Sequence, residues 1–111
     1  MPTFTTFTRY RPEAIKATIE QGIDRSALVK AAVESAGGRF IGMWGLFGRD
    51  HHAMMISEFD TISDYQALNF KMTLGGDCEE ILTWNLWEWS DAVQVSKTQS
   101  SGRIDYTATA A

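Results

Sequence analysis

Residues 39–59 read Arg39-Phe40-Ile41-Gly42-Met43-Trp44-Gly45-Leu46-Phe47, then Gly48-Arg49-Asp50, then His51-His52-Ala53-Met54-Met55-Ile56-Ser57-Glu58-Phe59. Two apolar runs separated by a short glycine-containing break predict a β-hairpin. By strand alternation, Phe40, Gly42, Trp44 and Leu46 point one way, and Ile41, Met43, Gly45 and Phe47 the other. A strand that is apolar on both faces needs cover on both.

Before the hairpin, Thr3 to Arg11 is rich in Thr and aromatics, which predicts a first strand. Pro12 ends it and opens a helical stretch in which Ile15 and Ile19 are four apart. Gly22 interrupts that stretch, Asp24 is placed to cap a continuation, and Gly37-Gly38 stops it. One bent helix, or two in tandem, is expected over about 12–36. After the hairpin, Thr61 with Asp64 resembles a capping box. Tyr65, Leu68 and Met72, with Ala67 and Phe70 nearby, predict an amphipathic helix that ends at Gly75-Gly76. Cys78 to Trp89 is the expected last strand. The order is β-α-β-β-α-β, an α+β, ferredoxin-like arrangement with a four-stranded antiparallel sheet. It occupies 1–95 as a single domain, followed by a tail, 96–111, that is flexible or wraps a partner. Helices cover one face of such a sheet; the other face, also apolar here, calls for a second copy, so a homodimer or a higher oligomer of dimers is expected.

Composition narrows the partners. The 111 residues carry a net charge of −4 with no run of basic residues, which argues against nucleic acid. No apolar stretch approaches the roughly 20 residues that span a bilayer, and the first ten residues lack a signal-peptide layout, so no membrane association is expected. A single cysteine, Cys78, makes no internal disulfide, and a cytoplasmic location is the expectation. Its neighbours Asp77, Glu79 and Glu80 raise a thiol's pKa and disfavour nucleophilic use. No phosphate loop, nucleophile elbow or Cys-x-x-Cys is present in the sequence, and no cofactor or metal is implied.

The chemistry-bearing residues are few. His51 and His52 are adjacent, so on a strand they face opposite ways and do not share a metal. By parity His52 accompanies Met54, Ile56 and Glu58, and His51 accompanies Ala53, Met55 and Ser57. One of them facing a pocket is the candidate proton acceptor; an idle, half-exposed pair is the other reading. Tyr10, at the end of a central first strand, is the candidate partner for proton transfer, or else packs its ring and wets its hydroxyl. In the last strand Ile81, Thr83, Asn85, Trp87 and Trp89 share one face, and Leu82, Trp84 and Leu86 the other. Asn85 beside indoles suits a planar, partly polar ligand, or a bond to its twin across a dimer interface. Tyr65 and Asn69 share a helix face directed to a cleft or to water. Met43, Met54, Met55 and Met72 suit an adaptable pocket wall, or plain packing. The candidate ligand contacts are therefore Trp44, Trp84, Trp87, Asn85, Asn69, Tyr65 and Met54.

The opening Met-Pro-Thr-Phe with Arg9-Tyr10, Pro12-Glu13-Ala14-Ile15-Lys16, Gly37-Gly38-Arg39 and the Gly48 turn resemble the GYD-domain proteins of the dimeric α+β barrel superfamily. Where that family has Gly-x-Tyr-Asp, this chain has Gly48-Arg49-Asp50-His51, so roles of the Tyr and Asp do not transfer. Gly42-Met43-Trp44, and Glu58-Phe59-Asp60 through Tyr65, are similar to NIPSNAP-type domains. The resemblance implies two sheets packed face to face. It also implies a function drawn from cofactor-independent monooxygenases, isomerases, heme-degrading enzymes or proteins with no known activity. If the protein is an enzyme, cofactor-independent oxygenation, isomerisation or cyclisation is the expected chemistry. Taken together, the expectation is a homodimer that binds a small aromatic or hydrophobic molecule in a sheet–helix cleft. The alternative is an assembly module whose aromatic strands serve only oligomerisation.

Overall fold

The central strand β1 (Thr3–Tyr10) is flanked on one side by β3 (Ala53–Glu58) and then β2 (Arg39–Gly45), and on the other by β4 (Cys78–Leu86). All three pairings are antiparallel, giving the order β2-β3-β1-β4 in this computed structural model, which describes residues 1–109. Two tandem helices, α1 (Pro12–Gln21) and α2 (Arg25–Ser35), join β1 to β2; α3 (Ile62–Gly75) joins β3 to β4; and α4 (Ala92–Ser100) follows a short 3₁₀ turn over Trp89–Asp91. The protein is α+β with the ferredoxin-like β-α-β-β-α-β order.

Local chemistry sets the helix boundaries. Gly22 sits at φ 63°, the left-handed conformation that ends α1. Asp24 then accepts the Ser26 amide at 3.0 Å to start α2. Thr61 accepts the Asp64 amide at 3.1 Å at the head of α3, and Gly76 at φ 80° ends it. Gly38 has a different constraint. A Cβ there would meet the Phe59 ring at 2.5 Å, and Phe59 is fully buried.

Strand alternation divides the sheet. Phe4, Thr6, Thr8 and Tyr10 of β1 lie on the helix side with Met55 and Ser57 of β3. Under the helices, Phe4, Val33, Met55, Phe59, Tyr65 and Leu68 form the core. Tyr65 is its hub: its ring stacks on Phe4 at 4.1 Å between centroids, and its hydroxyl bonds Thr6 Oγ1 at 2.7 Å and Thr83 Oγ1 at 2.6 Å. On the other face lie Phe7, Met54 and Ile56, with Trp44, Leu82, Trp84 and Leu86 exposed and no helix over them.

Several elements differ from the sequence expectation. The pairing of β2 with β3 slips between Phe40 and Gly42, leaving Ile41 as a bulge. Phe40 therefore joins Met43 against the core, while Gly42 and Trp44 take the bare face. β3 begins at Ala53 and β2 ends at Gly45, so seven residues form the hairpin loop. β4 ends at Leu86, before Trp87 and Trp89, because Leu86 already pairs with Thr3, the first residue of β1, and no partner strand continues. Phe70 of α3 is turned outward, 68% exposed. The tail starts as helix α4, which packs chiefly on the 3₁₀ turn before it. Ala110 and Ala111 lie outside the described residues.

Replacing Tyr65 by Phe keeps the ring and removes the hydroxyl, stranding the two threonine hydroxyls. A loss of about 1–3 kcal/mol is expected in urea unfolding. An unchanged midpoint would show that the hydroxyl bridge contributes nothing.

Candidate functional site

Between the sheet and the tandem helices is a cleft with two compartments. The inner one, about 200 Å³, is walled by Met43, Met55, Met72, Leu28, Val29 and Ala32, with Thr8, Tyr10, Arg25, Asp77 and Cys78 at its polar end. The outer one, about 320 Å³, is bounded by Trp44, His52, Ile15, Thr18 and the start of α2. Tyr10, Arg25, Met43 and Ala53 belong to both. The topology accounts for this placement. Tyr10 is the last inward residue of the central strand, and α2 begins directly above it.

The partition between compartments is built from three stacked groups. The guanidinium of Arg25 lies 4.5 Å over the Tyr10 ring, and the His52 ring stacks near-parallel to Tyr10 at 6.0 Å. The Tyr10 amide donates to His52 Nδ1 at 3.0 Å, and the His52 amide donates to the Thr8 carbonyl at 2.9 Å. The imidazole thus replaces a backbone carbonyl where the β1–β3 ladder ends. With Nδ1 accepting, the neutral ring carries its proton on Nε2 and offers a donor. Burial pushes the Tyr10 phenol up from its ordinary value, so it too is a donor near neutral pH. Burial, and after it the Asp77 carboxylate, raises the Cys78 thiol, which therefore stays protonated. The Thr8 hydroxyl is buried on the cleft wall beside the Tyr10 phenol.

The two histidines part company, in the opposite sense to strand parity. Because the strand starts only at Ala53, His52 turns to the helix side beside Tyr10. His51 turns to the bare face, where its Nε2 donates to Glu80 Oε1 at 2.8 Å and its ring meets the edge of Phe7. With Leu82 and Trp84 it borders a shallow hollow of about 480 Å³. Arg9 pairs with Glu79 at 3.3 Å and Glu80 at 3.1 Å beside it. The hydrogen bond from His51, and next the charge of Arg9, hold the Glu80 carboxyl below the usual carboxylate range.

The remaining candidates are scattered. Trp44 borders the outer compartment. Met54 and Trp84 lie on the bare face, Trp84 against Phe7 at 5.2 Å. Tyr65 is buried in the core with its hydroxyl spent. Asn69 is half-buried on α3, away from the cleft, and Asn85 is exposed on β4 opposite Phe4. Trp87, beyond the strand, tilts against Trp89 at 5.4 Å. Arg25 and Asp77 were not legible as site residues, because nothing in the spacing of a helix-start arginine shows that it leans over a strand-end tyrosine. Among the described residues, no His, Cys, Asp and Glu side chains group as three or more potential metal ligands, and no helix is long and apolar enough to cross a membrane.

No family model matches the chain, and no curated protein matches it. Among solved structures, an uncharacterized NIPSNAP domain protein from Burkholderia xenovorans is similar over 79% of this chain and 94% of its own, at 14% identity and a TM-score of 0.46.

Glu80 supplies a pH prediction. Its pKa is lower folded than unfolded, so its contribution to stability is present above the ordinary carboxylate range and is lost as pH falls through the lowered value. Glu80→Gln should melt below the wild type at pH 7, with the gap closing as pH drops below that range. A gap that is the same at both ends would remove the His51–Arg9 cluster as a stabilising group.

Proposed function

We propose that this protein binds a small aromatic or hydrophobic molecule in the sheet–helix cleft and works as a homodimer through its bare sheet face. The observation that carries the first part is the inner compartment, where three methionines and aliphatic α2 residues meet a cluster of hydrogen-bond donors at one end. That combination of an apolar body and a few convergent polar groups is what a small-molecule site requires. Apolar cavities of about 150 Å³ hold one benzene ring, so about 200 Å³ suits a ring with one small substituent.

Of the chemistry that the family resemblance implies, proton abstraction is the least favoured here. Tyr10 is held protonated and His52 has its Nδ1 occupied, so both favour gripping an oxygen acceptor over acting as a base. Binding is therefore the stronger reading than base catalysis.

The dimer reading rests on a separate observation. Trp84, 56% exposed, stands with Leu82 and Leu86 on one edge strand, Trp44, 47% exposed, stands on the other, and Met54, Ile56 and Phe7 lie between them on a face that no helix covers. A contiguous apolar sheet of this kind is unusual in water unless another surface covers it. The exposed Trp87, Trp89, Val93 and Val95 extend the same apolar character into the arm that carries α4.

Ligand-observed NMR with phenol tests the cleft. The wild type and a bare-face variant, Trp84→Ala, should bind alike, whereas Ala32→Leu, which fills the inner compartment, should weaken binding at least about tenfold. Equal binding by all three would move the site elsewhere. Light scattering tests the dimer: twice the 12.4 kDa chain mass is expected, returning to 12.4 kDa in Trp84→Glu. A monodisperse 12.4 kDa wild type would refute it.

A further inference from the structure

The charge state of the ligand follows from Arg25. Its side chain is only 16% exposed, yet it borders both compartments of an otherwise apolar cleft. Three of its nitrogens are engaged within the protein. Nε donates to Thr18 Oγ1 at 2.7 Å, one terminal nitrogen to the Ala14 carbonyl at 3.4 Å, and the other to Asp77 Oδ2 at 3.3 Å. A guanidinium has five N–H groups, so two remain without a partner among the described residues.

The counter-ion is the weak element. Asp77 makes a single long contact and is 64% exposed, so water screens its charge more effectively than that of the arginine it faces. The Tyr10 ring beneath the guanidinium and the bonds to α1 fix its plane before anything binds. An oriented, half-neutralised guanidinium at the end of an apolar cavity matches a carboxylate, which takes two parallel N–H bonds from one arginine. The Tyr10 phenol and the Thr8 hydroxyl beside it stand at the same end.

We infer that the ligand is a small organic monocarboxylate. Its one-ring or branched apolar body lies among Met43, Met55 and Met72, and its carboxylate pairs with Arg25 in competition with Asp77. This rests on the cleft being a small-molecule site. Asp77 is a built-in competitor: it stabilises Arg25 while the cleft is empty and opposes an incoming anion. Asp24, the carboxylate of the outer compartment, is committed to the Ser26 amide and hydroxyl at the start of α2.

Benzoate and its neutral counterpart benzyl alcohol, titrated by ligand-observed NMR, provide the test. The wild type should bind benzoate at least about tenfold more tightly than benzyl alcohol. Asp77→Asn should tighten benzoate several-fold and leave benzyl alcohol unchanged. Arg25→Gln should erase the preference; Asp77→Asn, which leaves the Arg25 bonds to α1 in place, gives an independent reading if Arg25→Gln fails to fold. Equal affinity for the two probes, or Asp77→Asn shifting both alike, overturns the carboxylate assignment while leaving the cleft as a site. Binding of neither probe overturns the small-molecule reading and the assignment with it.

Discussion

β1 is paired along both of its edges, and the register of those pairings fixes where every other group falls. Thr6 stands opposite Met55 on one side and Thr83 on the other; Phe7 stands opposite Met54 and Leu82. Because side chains alternate, a one-residue slip of this strand would exchange the two faces completely. It would carry Phe4 and Tyr10 out of the core and put Phe7 into it. The Tyr65 hydroxyl reinforces the register, since it bonds a threonine on β1 and another on β4 from a single helix position.

Two unlike surfaces follow. The helix side is closed at one end by Phe4, Phe59 and Tyr65, whose rings meet edge-on or stacked. At the other end the start of α2 stands off the sheet, Arg25 lies over the buried Tyr10 ring, and the cleft forms around them. The bare side holds large apolar side chains between ion pairs, Arg39 with Glu58 at one end and Arg9 with Glu79 and Glu80 at the other. Its middle is suited to being covered and its ends to staying wet.

Much of this was legible in the chain. Gly22, Asp24, Thr61 and Gly76 mark helix ends by local chemistry, which acts over a few residues and so can be read from them. The β-α-β-β-α-β order and the bare apolar face also followed from periodicity. What could not be read depended on distant partners. The bulge at Ile41 arises from how β2 meets β3, and β4 stops at Leu86 because β1 begins at Thr3. The exchange of roles between His51 and His52 arises because an imidazole takes the amide of Tyr10, forty-odd residues away in sequence. Tyr65 looked like a ligand contact because its spacing with Asn69 is helical, but spacing does not reveal that two threonine hydroxyls wait for it. Arg25 carries no sequence signal for the converse reason: its role lies wholly in the Tyr10 ring it leans over.

Met54 and Met55 are neighbours in sequence and lie on opposite faces, Met55 in the cleft and Met54 on the bare sheet. Their methyl resonances, followed by ¹³C NMR, test the account most directly. Phenol should shift Met55 and leave Met54 in place, whereas dilution, by dissociating the proposed dimer, should shift Met54 and leave Met55. If both methyls answer to the same treatment, the two faces do not have separate roles.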